Sequence, residues 1–289
     1  MWCKLKEDIS LGKRIISGLI GGIIVIVTLT CLPSYMCNIF AFLVAIASTY
    51  EFIKAINAYG YKPIRSISYA SCTMLLFIGA VPTKEIYKWA LAFIGLIIIA
   101  SLIYAFFIRK GLTTLVDISF TFFVILYIDI LLSFFLLTYY ITNDAGTQLG
   151  KVWIWYVLFG ACVTDIFAYF IGCKFGKHKL CPEISPKKTV EGALGGIFGC
   201  TLVFLIYTAI LNNFYGFGID YIKIGLISII VAIFAQMGDL VASSIKRNAK
   251  IKDFGDVMPG HGGFLDRIDS TLFVSPIIYY FLIYFPHIF

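Results

Sequence analysis

Long apolar runs separated by short polar connections make up most of the chain from Arg14 onward. Each run is close to the roughly 20 residues that an α-helix needs to cross the hydrocarbon core of a bilayer. Backbone exposed to lipid must satisfy its own hydrogen bonds, and the alternation of a β-barrel is missing, so the runs predict helices. The pattern predicts an all-α integral membrane protein, a polytopic bundle of about nine transmembrane helices. The predicted spans are 14–32, 36–57, 67–82, 88–107, 114–141, 151–173, 193–212, 223–245 and 266–285.

Composition agrees with this class. Of the 289 residues, 60% are hydrophobic and 13% are charged, whereas a soluble domain carries about 25% charged residues. These values exclude a soluble globular domain, a disordered tail and a secreted disulfide scaffold. The eight cysteines have neither CxxC nor Cys/His spacing typical of a metal site, so we interpret them as small buried apolar residues.

The distribution of basic residues predicts the orientation. Nineteen of the 23 Lys and Arg residues fall on one side of the membrane if the N-terminus is cytoplasmic, and cytoplasmic loops collect such residues. The two longest polar loops, 174–192 and 246–265, then share the cytoplasmic side. We divide the single membrane domain into N-terminal transmembrane helices, 1–150, and a C-terminal transmembrane catalytic region, 151–289, that carries both loops. A short chain with no added soluble domain or transit peptide fits a bacterial inner membrane, with the active site facing the cytoplasm.

Three acidic residues gather at one end of the last two predicted spans. Asp239 lies about a turn and a half inside the eighth span, and Asp266 and Asp269 share one face of the helix that opens the ninth. A charge at bilayer depth costs about 2.5–3.5 kcal/mol on insertion scales, so three such groups need partners. Carboxylate oxygens suit Mg²⁺, which takes one or two carboxylates, waters and substrate phosphates. The sequence therefore predicts a Mg²⁺ site at Asp239, Asp266 and Asp269.

Basic and small residues surround these acids. Cations and backbone donors beside carboxylates are what phosphoryl or nucleotidyl transfer needs, because they absorb charge on the phosphates and the leaving group. The catalytic candidates here are Lys246, Arg247, Arg267 and His261, and the substrate-binding candidates are Ser243, Lys252, Gly262 and Gly263. The alternative is that the cations are ordinary positive-inside residues with which the acids pair.

A second polar segment precedes the seventh predicted span. Asp165 lies inside the sixth span, and a Ser-Pro-Lys-Lys-Thr run stands before a glycine-rich helix start, which could bind phosphate through Lys and backbone amides. No GxxxxGK[ST] occurs, so a P-loop is excluded. Lys187 and Lys188 are catalytic and binding candidates, and Ser185, Thr189 and Asp165 are binding candidates. A solvated basic loop is the alternative.

Some embedded polar and small residues have structural interpretations. Asp129, in the fifth span, serves a polar core pair or lies near a lipid groove, and we favour the core pair. Glu51 is interpreted as interfacial, at the end of the second span. Gly18 with Gly22, and Gly195 with Gly199, favour close helix packing.

The stretch from Ser243 to Asp269 resembles the signature of the phosphatidate cytidylyltransferases (CDP-diacylglycerol synthases). The matching residues are Ser243, Lys246, Arg247, Lys252, Asp253, Gly255, Pro259, His261, Gly262, Gly263, Asp266, Arg267 and Asp269. The segment Ser185 to Gly192 is similar to the family's Ser-Pro-Lys-Lys-Thr-x-Glu-Gly element. Val190 stands where the family commonly has Trp, and Met258 where Leu, Ile or Phe is usual. Both replacements are apolar and leave the charged residues intact.

The resemblance implies that CTP and phosphatidic acid react with Mg²⁺ to give CDP-diacylglycerol and pyrophosphate in phospholipid biosynthesis. It also implies a second, monovalent cation such as K⁺ in the carboxylate cluster, and it leaves a homodimer open. The partners are CTP, phosphatidic acid and the lipid bilayer, with no nucleic acid.

Three other functions fit the sequence less well. A CDP-alcohol phosphotransferase would carry a DGxxAR…G…D…D pattern, which the chain lacks. A transporter or channel would use embedded acids such as Asp129, Asp165 and Asp239, but it usually places them near the midplane and shows inverted repeats. A membrane scaffold would leave the polar loops unexplained.

Overall fold

The computed structural model describes residues 18–80, 86–108, 114–142, 148–255 and 262–285, and most of them are α-helical. The chain forms two compact units. The first comprises Met1–Leu136 and Ala249–Arg267, and the second comprises Leu137–Asn248 and Ile268–Phe289.

The first unit is built from apolar helices joined by short turns. Its helices are α1 (described over Gly18–Thr30), α2 (Ser34–Ala58), α3 (Arg65–Ser71), α4 (Ile86–Ile103) and most of α5 (Leu115–Tyr139). A 3₁₀ segment, Cys72–Phe77, follows α3, and a π-helical segment, Tyr104–Ile108, follows α4. Within α5 the residues Ile125–Ile130 are also π-helical.

The start of α5 is fixed by a capping box that also holds the turn after α2. Thr114 accepts a hydrogen bond from the Asp117 backbone N–H, and the Asp117 side chain accepts one from the Thr114 backbone. Such reciprocal bonds satisfy donors that a helix start leaves without partners. The same carboxylate accepts a 2.6 Å bond from the Lys62 backbone N–H. The capping residues therefore connect α5 to the α2–α3 turn.

The third predicted span, 67–82, is not a continuous helix of membrane-spanning length. Two hydroxyl side chains in this segment donate hydrogen bonds to backbone carbonyls three residues earlier. Ser71 Oγ donates to Ser68 O at 2.8 Å, and Thr73 Oγ1 donates to Ala70 O at 2.6 Å. Hydroxyl groups that compete in this way weaken the helix interior. The α-helix gives way to a 3₁₀ segment at Cys72, and the sequence pattern, which records only apolarity, does not show this.

The second unit places a short hairpin between long helices. It contains α6 (Gly150–Phe175), β1 (Lys179–Cys181), β2 (Ser185–Thr189), α7 (Val190–Tyr215), α8 (Tyr221–Asn248) and most of α9 (Leu265–Tyr284). The two strands are antiparallel, and Lys179 faces Thr189. The sequence predicts only a polar loop here, so the strands are an addition to it.

Glycines bring α6 and α7 close together. A Cβ built on Gly195 would lie 2.6 Å from the Ile171 side chain, and one on Gly199 would meet the Phe167 ring. The close packing predicted for this glycine pair is confirmed. No described atom lies within 4 Å of a Cβ built on Gly22, so the other predicted pair is not supported.

Five helices in the described part of the chain are long and apolar enough to cross a membrane: Ser34–Ala58, Leu115–Tyr139, Gly150–Phe175, Val190–Tyr215 and Tyr221–Asn248. Helix α9 has 20 residues but carries three charged side chains near its start, and it falls outside this group. The class of an all-α integral membrane protein is confirmed, whereas the count of nine spans is not.

Candidate active site

Three carboxylates of the second unit lie on three different helices. They are Asp165 on α6, Asp239 on α8 and Asp269 on α9. The negative charges of Asp239 and Asp165, and the positive charge of Lys246, act on Asp269. Asp269 is only 6% exposed. The fold therefore concentrates negative charge around one buried carboxylate. The group of three contains two of the predicted metal ligands, Asp239 and Asp269.

Ser270 links two of these carboxylates. Its backbone N–H donates a 2.7 Å hydrogen bond to Asp269 Oδ1, and its hydroxyl donates one of 3.1 Å to Asp165 Oδ2. Asp165 is exposed on α6, yet this bond fixes its orientation toward α9. Ser270 is not among the site residues predicted from the sequence, although it directly follows a predicted ligand.

Gly238 allows α8 and α9 to approach each other at the acidic residues. A Cβ at this position would lie 2.5 Å from the Asp269 carbonyl oxygen and 3.1 Å from Ser270 Cα. Real Cβ atoms do not come that close to backbone, so any larger residue would move the helices apart. The glycine directly before Asp239 therefore sets the spacing of the two helices that carry the acids.

Lys188 of the hairpin forms an ion pair with Asp239. Its Nζ atom lies 2.8 Å from Asp239 Oδ2, and both side chains are partly buried. The same ammonium donates a 3.4 Å bond to the Gln236 carbonyl, and Ser243 Oγ donates a 3.3 Å bond to the other oxygen of Asp239. The structure thus brings together residues from the two segments that the sequence analysis selected, about 50 residues apart in the chain.

The other candidate residues of α8 and of the hairpin have different surroundings. Arg247, in the last turn of α8, donates from Nε to the Ile184 carbonyl at 3.3 Å and holds the hairpin tip. Lys246 acts on Asp269. Lys187 is exposed, and Ser185 is half-buried.

The hairpin leads directly into α7. Thr189 caps that helix by accepting a 3.1 Å bond from the Gly192 backbone N–H. Glu191 accepts bonds from the Lys177 backbone N–H at 3.0 Å and from His178 Nδ1 at 2.6 Å. Glu191 orders the turn before β1, a role that the sequence analysis did not assign to it, although an acid in the first turn of a helix is a usual signal.

In the first unit, the carboxylate of Asp266 accepts hydrogen bonds from two backbone N–H groups. Its Oδ2 atom accepts a 2.9 Å bond from the Phe254 N–H and a 3.0 Å bond from the Gly263 N–H. Gly262 adopts a φ of +80°, which only glycine takes readily. Lys252 is exposed on the same loop. Asp266 therefore connects the two described parts of this loop, one of which contains Phe254 and the other Gly263.

Glu51 is a second backbone-holding carboxylate and is only 1% exposed. Its two oxygens accept bonds from the Phe264 and Leu265 N–H groups, each 3.0 Å long. A carboxylate at a helix start satisfies free donors and the helix dipole. The interpretation of Glu51 as an interfacial residue stays a prediction, and the structure adds that its carboxylate is buried against the start of α9. A charge inside an apolar run was the only signal of this role.

Asp129 and His261 are two further residues for which the sequence predicts a role. Asp129 is buried and accepts a hydrogen bond from Ser71 Oγ, which confirms the polar core pair. His261 lies outside the described residues. Over 18–80, 86–108, 114–142, 148–255 and 262–285, no group of three or more His, Cys, Asp and Glu side chains is arranged to hold a metal ion.

Comparisons of the sequence with known proteins identify a family. The relatives include proteins named phosphatidate cytidylyltransferase from Bacillus subtilis (strain 168), with 44% identity over 147 residues, and from Thermotoga maritima, with 38% identity over 156 residues. These matches cover 51% and 54% of this chain and 53% and 55% of the relatives. A protein of the same name from Staphylococcus aureus (strain COL) is 39% identical over 177 residues, which are 61% of this chain and 63% of that protein.

The chain thus spans between about half and two thirds of the length of these relatives. A model described as the cytidylyltransferase family matches residues 12–285. This match covers nearly the whole sequence, including both units, and the chain therefore belongs to the cytidylyltransferase family.

Proposed function

We propose that this protein is a phosphatidate cytidylyltransferase, which transfers CMP from CTP to phosphatidic acid and releases CDP-diacylglycerol and pyrophosphate. The observation that carries the proposal is the Lys188–Asp239 ion pair of 2.8 Å, beside the buried carboxylate of Asp269. It joins a basic strand to the one acidic residue of α8 in an apolar protein. The names of the relatives support the same reaction.

The chemistry needs charge compensation more than proton transfer. A phosphate oxygen of the lipid attacks the α-phosphorus of CTP, a new P–O bond forms, and the bond to the β-phosphate breaks. The electron pair leaves with pyrophosphate. An ionised lipid phosphate has no proton to lose, so no general base is required, and positioning and electrostatic stabilisation supply the rate.

The cations are assigned to the phosphates. Lys187 and Lys188 of the hairpin, with Lys246 and Arg247 of α8, would bind the triphosphate and stabilise the leaving pyrophosphate. Lys188 is already drawn to Asp239, so substrate phosphate would compete for an ammonium that the fold has positioned. The further proposed contacts are Arg267, His261, Ser185, Thr189, Ser243, Lys252, Gly262, Gly263 and Asp165.

Mg²⁺ is proposed as the cofactor, with Asp239 and Asp269 as its protein ligands. Their oxygens fit this cation because Mg²⁺ usually takes one or two carboxylates and completes its shell with water and substrate phosphates. A buried carboxylate among like charges also calls for a compensating cation. When bound, the metal would neutralise phosphate charge. A metal role for Asp266 stays a prediction, since one of its oxygens accepts two backbone N–H groups, and so does a second cation such as K⁺.

The proposed location is a bacterial inner membrane, with the hairpin and the loop after α8 on the cytoplasmic side. The bias of Lys and Arg toward one set of connections supports this orientation, and the relatives come from bacteria. CTP is a soluble cytoplasmic metabolite, so the basic loops would meet it there.

The test is the conversion of CTP and phosphatidic acid to CDP-diacylglycerol by the purified protein in detergent, with Mg²⁺ and with excess EDTA. We expect product only with the metal. Lys188→Ala should lower turnover at least about tenfold, because it removes a phosphate cation and the partner of Asp239. Lys223→Ala is the matched control, since that lysine pairs only loosely with Asp220, at 3.9 Å. Folded protein that forms no product with Mg²⁺ would refute the proposal.

A further inference from the structure

A cleft in the first unit collects basic and polar side chains that the proposed reaction does not use. It has a volume of about 520 Å³ and lies between the end of α2, the start of α3 and the π-helical segment after α4. Its lining residues are Asn57, Lys62, Pro63, Arg65, Ser66 and Tyr104. Two side chains of the lining are cations, three others can form hydrogen bonds, and none is acidic.

The two cations point to an anionic ligand. Lys62 and Arg65 are both exposed, and no described carboxylate lies within ion-pair distance of either; the Asp117 carboxylate interacts with the Lys62 charge only beyond that distance. The Lys62 backbone is held in place by its bond to Asp117, so the lysine occupies a fixed position although its side chain projects freely. The guanidinium of an arginine matches a phosphate by offering parallel N–H donors.

The position of the cleft points to lipid rather than to a dissolved anion. Helix α2 is one of the helices long and apolar enough to span a membrane, and it ends at Ala58. Tyr59 and Tyr61 follow directly, with their rings 5.7 Å apart, and the Tyr61 ring lies 4.9 Å from that of Phe120. Tyrosines concentrate at the depth of lipid headgroups.

We propose that this cleft binds the headgroup phosphate of an anionic phospholipid. Lys62 and Arg65 bind the phosphate oxygens, and the Ser66 hydroxyl, at the start of α3, donates a further hydrogen bond. Basic pockets between helices at the membrane surface recognise headgroups in this way. The acyl chains remain in the bilayer beside the apolar helices.

The test measures lipid binding to the purified full chain in detergent by native mass spectrometry. Phosphatidylglycerol is the probe, because it carries the phosphate but is not the proposed acceptor, and phosphatidylcholine is the neutral comparison. We expect phosphatidylglycerol to bind more tightly than phosphatidylcholine. Lys62→Gln and Arg65→Gln should each weaken phosphatidylglycerol binding about fivefold, and the double variant about 25-fold.

Lys54→Gln is the matched control, because Lys54 is an exposed cation near the end of α2 but does not line the cleft. It should change the affinity less than twofold. An equal loss in this variant would overturn the proposal, since the effect would then follow net charge. Ser66→Asp adds a negative charge to the cleft without removing a cation, and unchanged binding in this folded variant would also overturn it.

Inorganic phosphate distinguishes the two sources of the anion. At millimolar concentration it should displace little phosphatidylglycerol, because the lipid is also held by its chains. If phosphate binds to the wild type and is lost in the double variant, while phosphatidylglycerol binding is unchanged, the cleft is a site for a soluble anion and the lipid proposal fails.

Discussion

The acidic residues of the two units have different kinds of partner, although Asp266 of the first unit and Asp269 of the second belong to one continuous sequence signature. In the second unit, Asp239 faces the side chain of Lys188, and Asp269 lies among other charged side chains. In the first unit, Glu51 and Asp266 accept hydrogen bonds from backbone N–H groups. The acids of the second unit interact with other charged side chains, whereas the acids of the first unit fix the position of the backbone. Neutral isosteres should therefore affect activity in the first case and folding in the second.

The largest effect is expected from Asp269→Asn. The amide keeps the oxygen that accepts the Ser270 N–H but removes a charge proposed to hold Mg²⁺, so turnover should fall at least about 100-fold. Stability should stay unchanged or rise, because Asp239 and Asp165 no longer repel a like charge. Turnover and the thermal midpoint in detergent measure the two effects. Asp220→Asn is the control, because Asp220 is a half-buried acid before α8 whose capping bond from the Ile222 N–H an asparagine oxygen can also accept. Near-normal turnover would remove Asp269 from the charged site.

Glu51→Gln should have the opposite signature. Its amide can accept only one of the two backbone N–H groups, and the buried donor left over costs about 1–3 kcal/mol. The unfolding midpoint should therefore drop clearly, and activity should fall only with the loss of folded protein. Glu183→Gln, an exposed acid of the hairpin turn, is the control. A variant as stable as the wild type but inactive would place Glu51 in the chemistry and break the comparison.

Gly238→Ala sharpens the comparison within a single helix. The new methyl group would press on the backbone of α9 at Asp269, so we expect about 1–3 kcal/mol of destabilisation and reduced turnover. Gly225→Ala is the matched control, because Gly225 lies on α8 and no described atom lies within 4 Å of a Cβ built there. That substitution should be neutral or stabilise the helix by up to about 1 kcal/mol. Equal results for the two variants would show that the helix spacing does not depend on Gly238.

Thr189→Ala should give the smallest effect. It removes the cap of α7 and costs about 0.5–2 kcal/mol of stability, with a modest rise in the CTP concentration needed for half-maximal rate. Thr189→Ser keeps the capping oxygen and should restore both values. If the serine variant behaves like alanine, the methyl group of Thr189, rather than its hydroxyl, sets the position of the hairpin.

Most of the long helices could be predicted because apolar length determines them directly. The predicted span 193–212 lies within Val190–Tyr215, and 223–245 lies within Tyr221–Asn248. The predicted span 67–82 fails because hydroxyl groups near Ser71 compete for helix carbonyls, which an apolarity pattern does not record. The hairpin was missed because its short strands depend on pairing with each other and carry no apolar alternation.

The candidate site was predictable in its chemistry and only partly in its partners. The sequence showed that Lys188 and Asp239 belong to polar segments, and the fold brings them into contact. The role of Glu51 could not be predicted, since its partners lie 213 and 214 residues away in the chain. A pattern read along one chain shows which residues carry charge, whereas pairing depends on tertiary structure.

The glycines between α6 and α7 also have a consequence for how the gene can vary. Every single-base missense change of a glycine codon introduces a larger side chain. At Gly192, Gly195, Gly196 and Gly199 such a side chain would meet α6 at 2.9 Å or less. These codons should tolerate almost no missense variation, and the depleted positions should recur with the period of a helix. Gly22 and Gly225, where no described atom lies within 4 Å of a Cβ, should tolerate replacement by small uncharged residues.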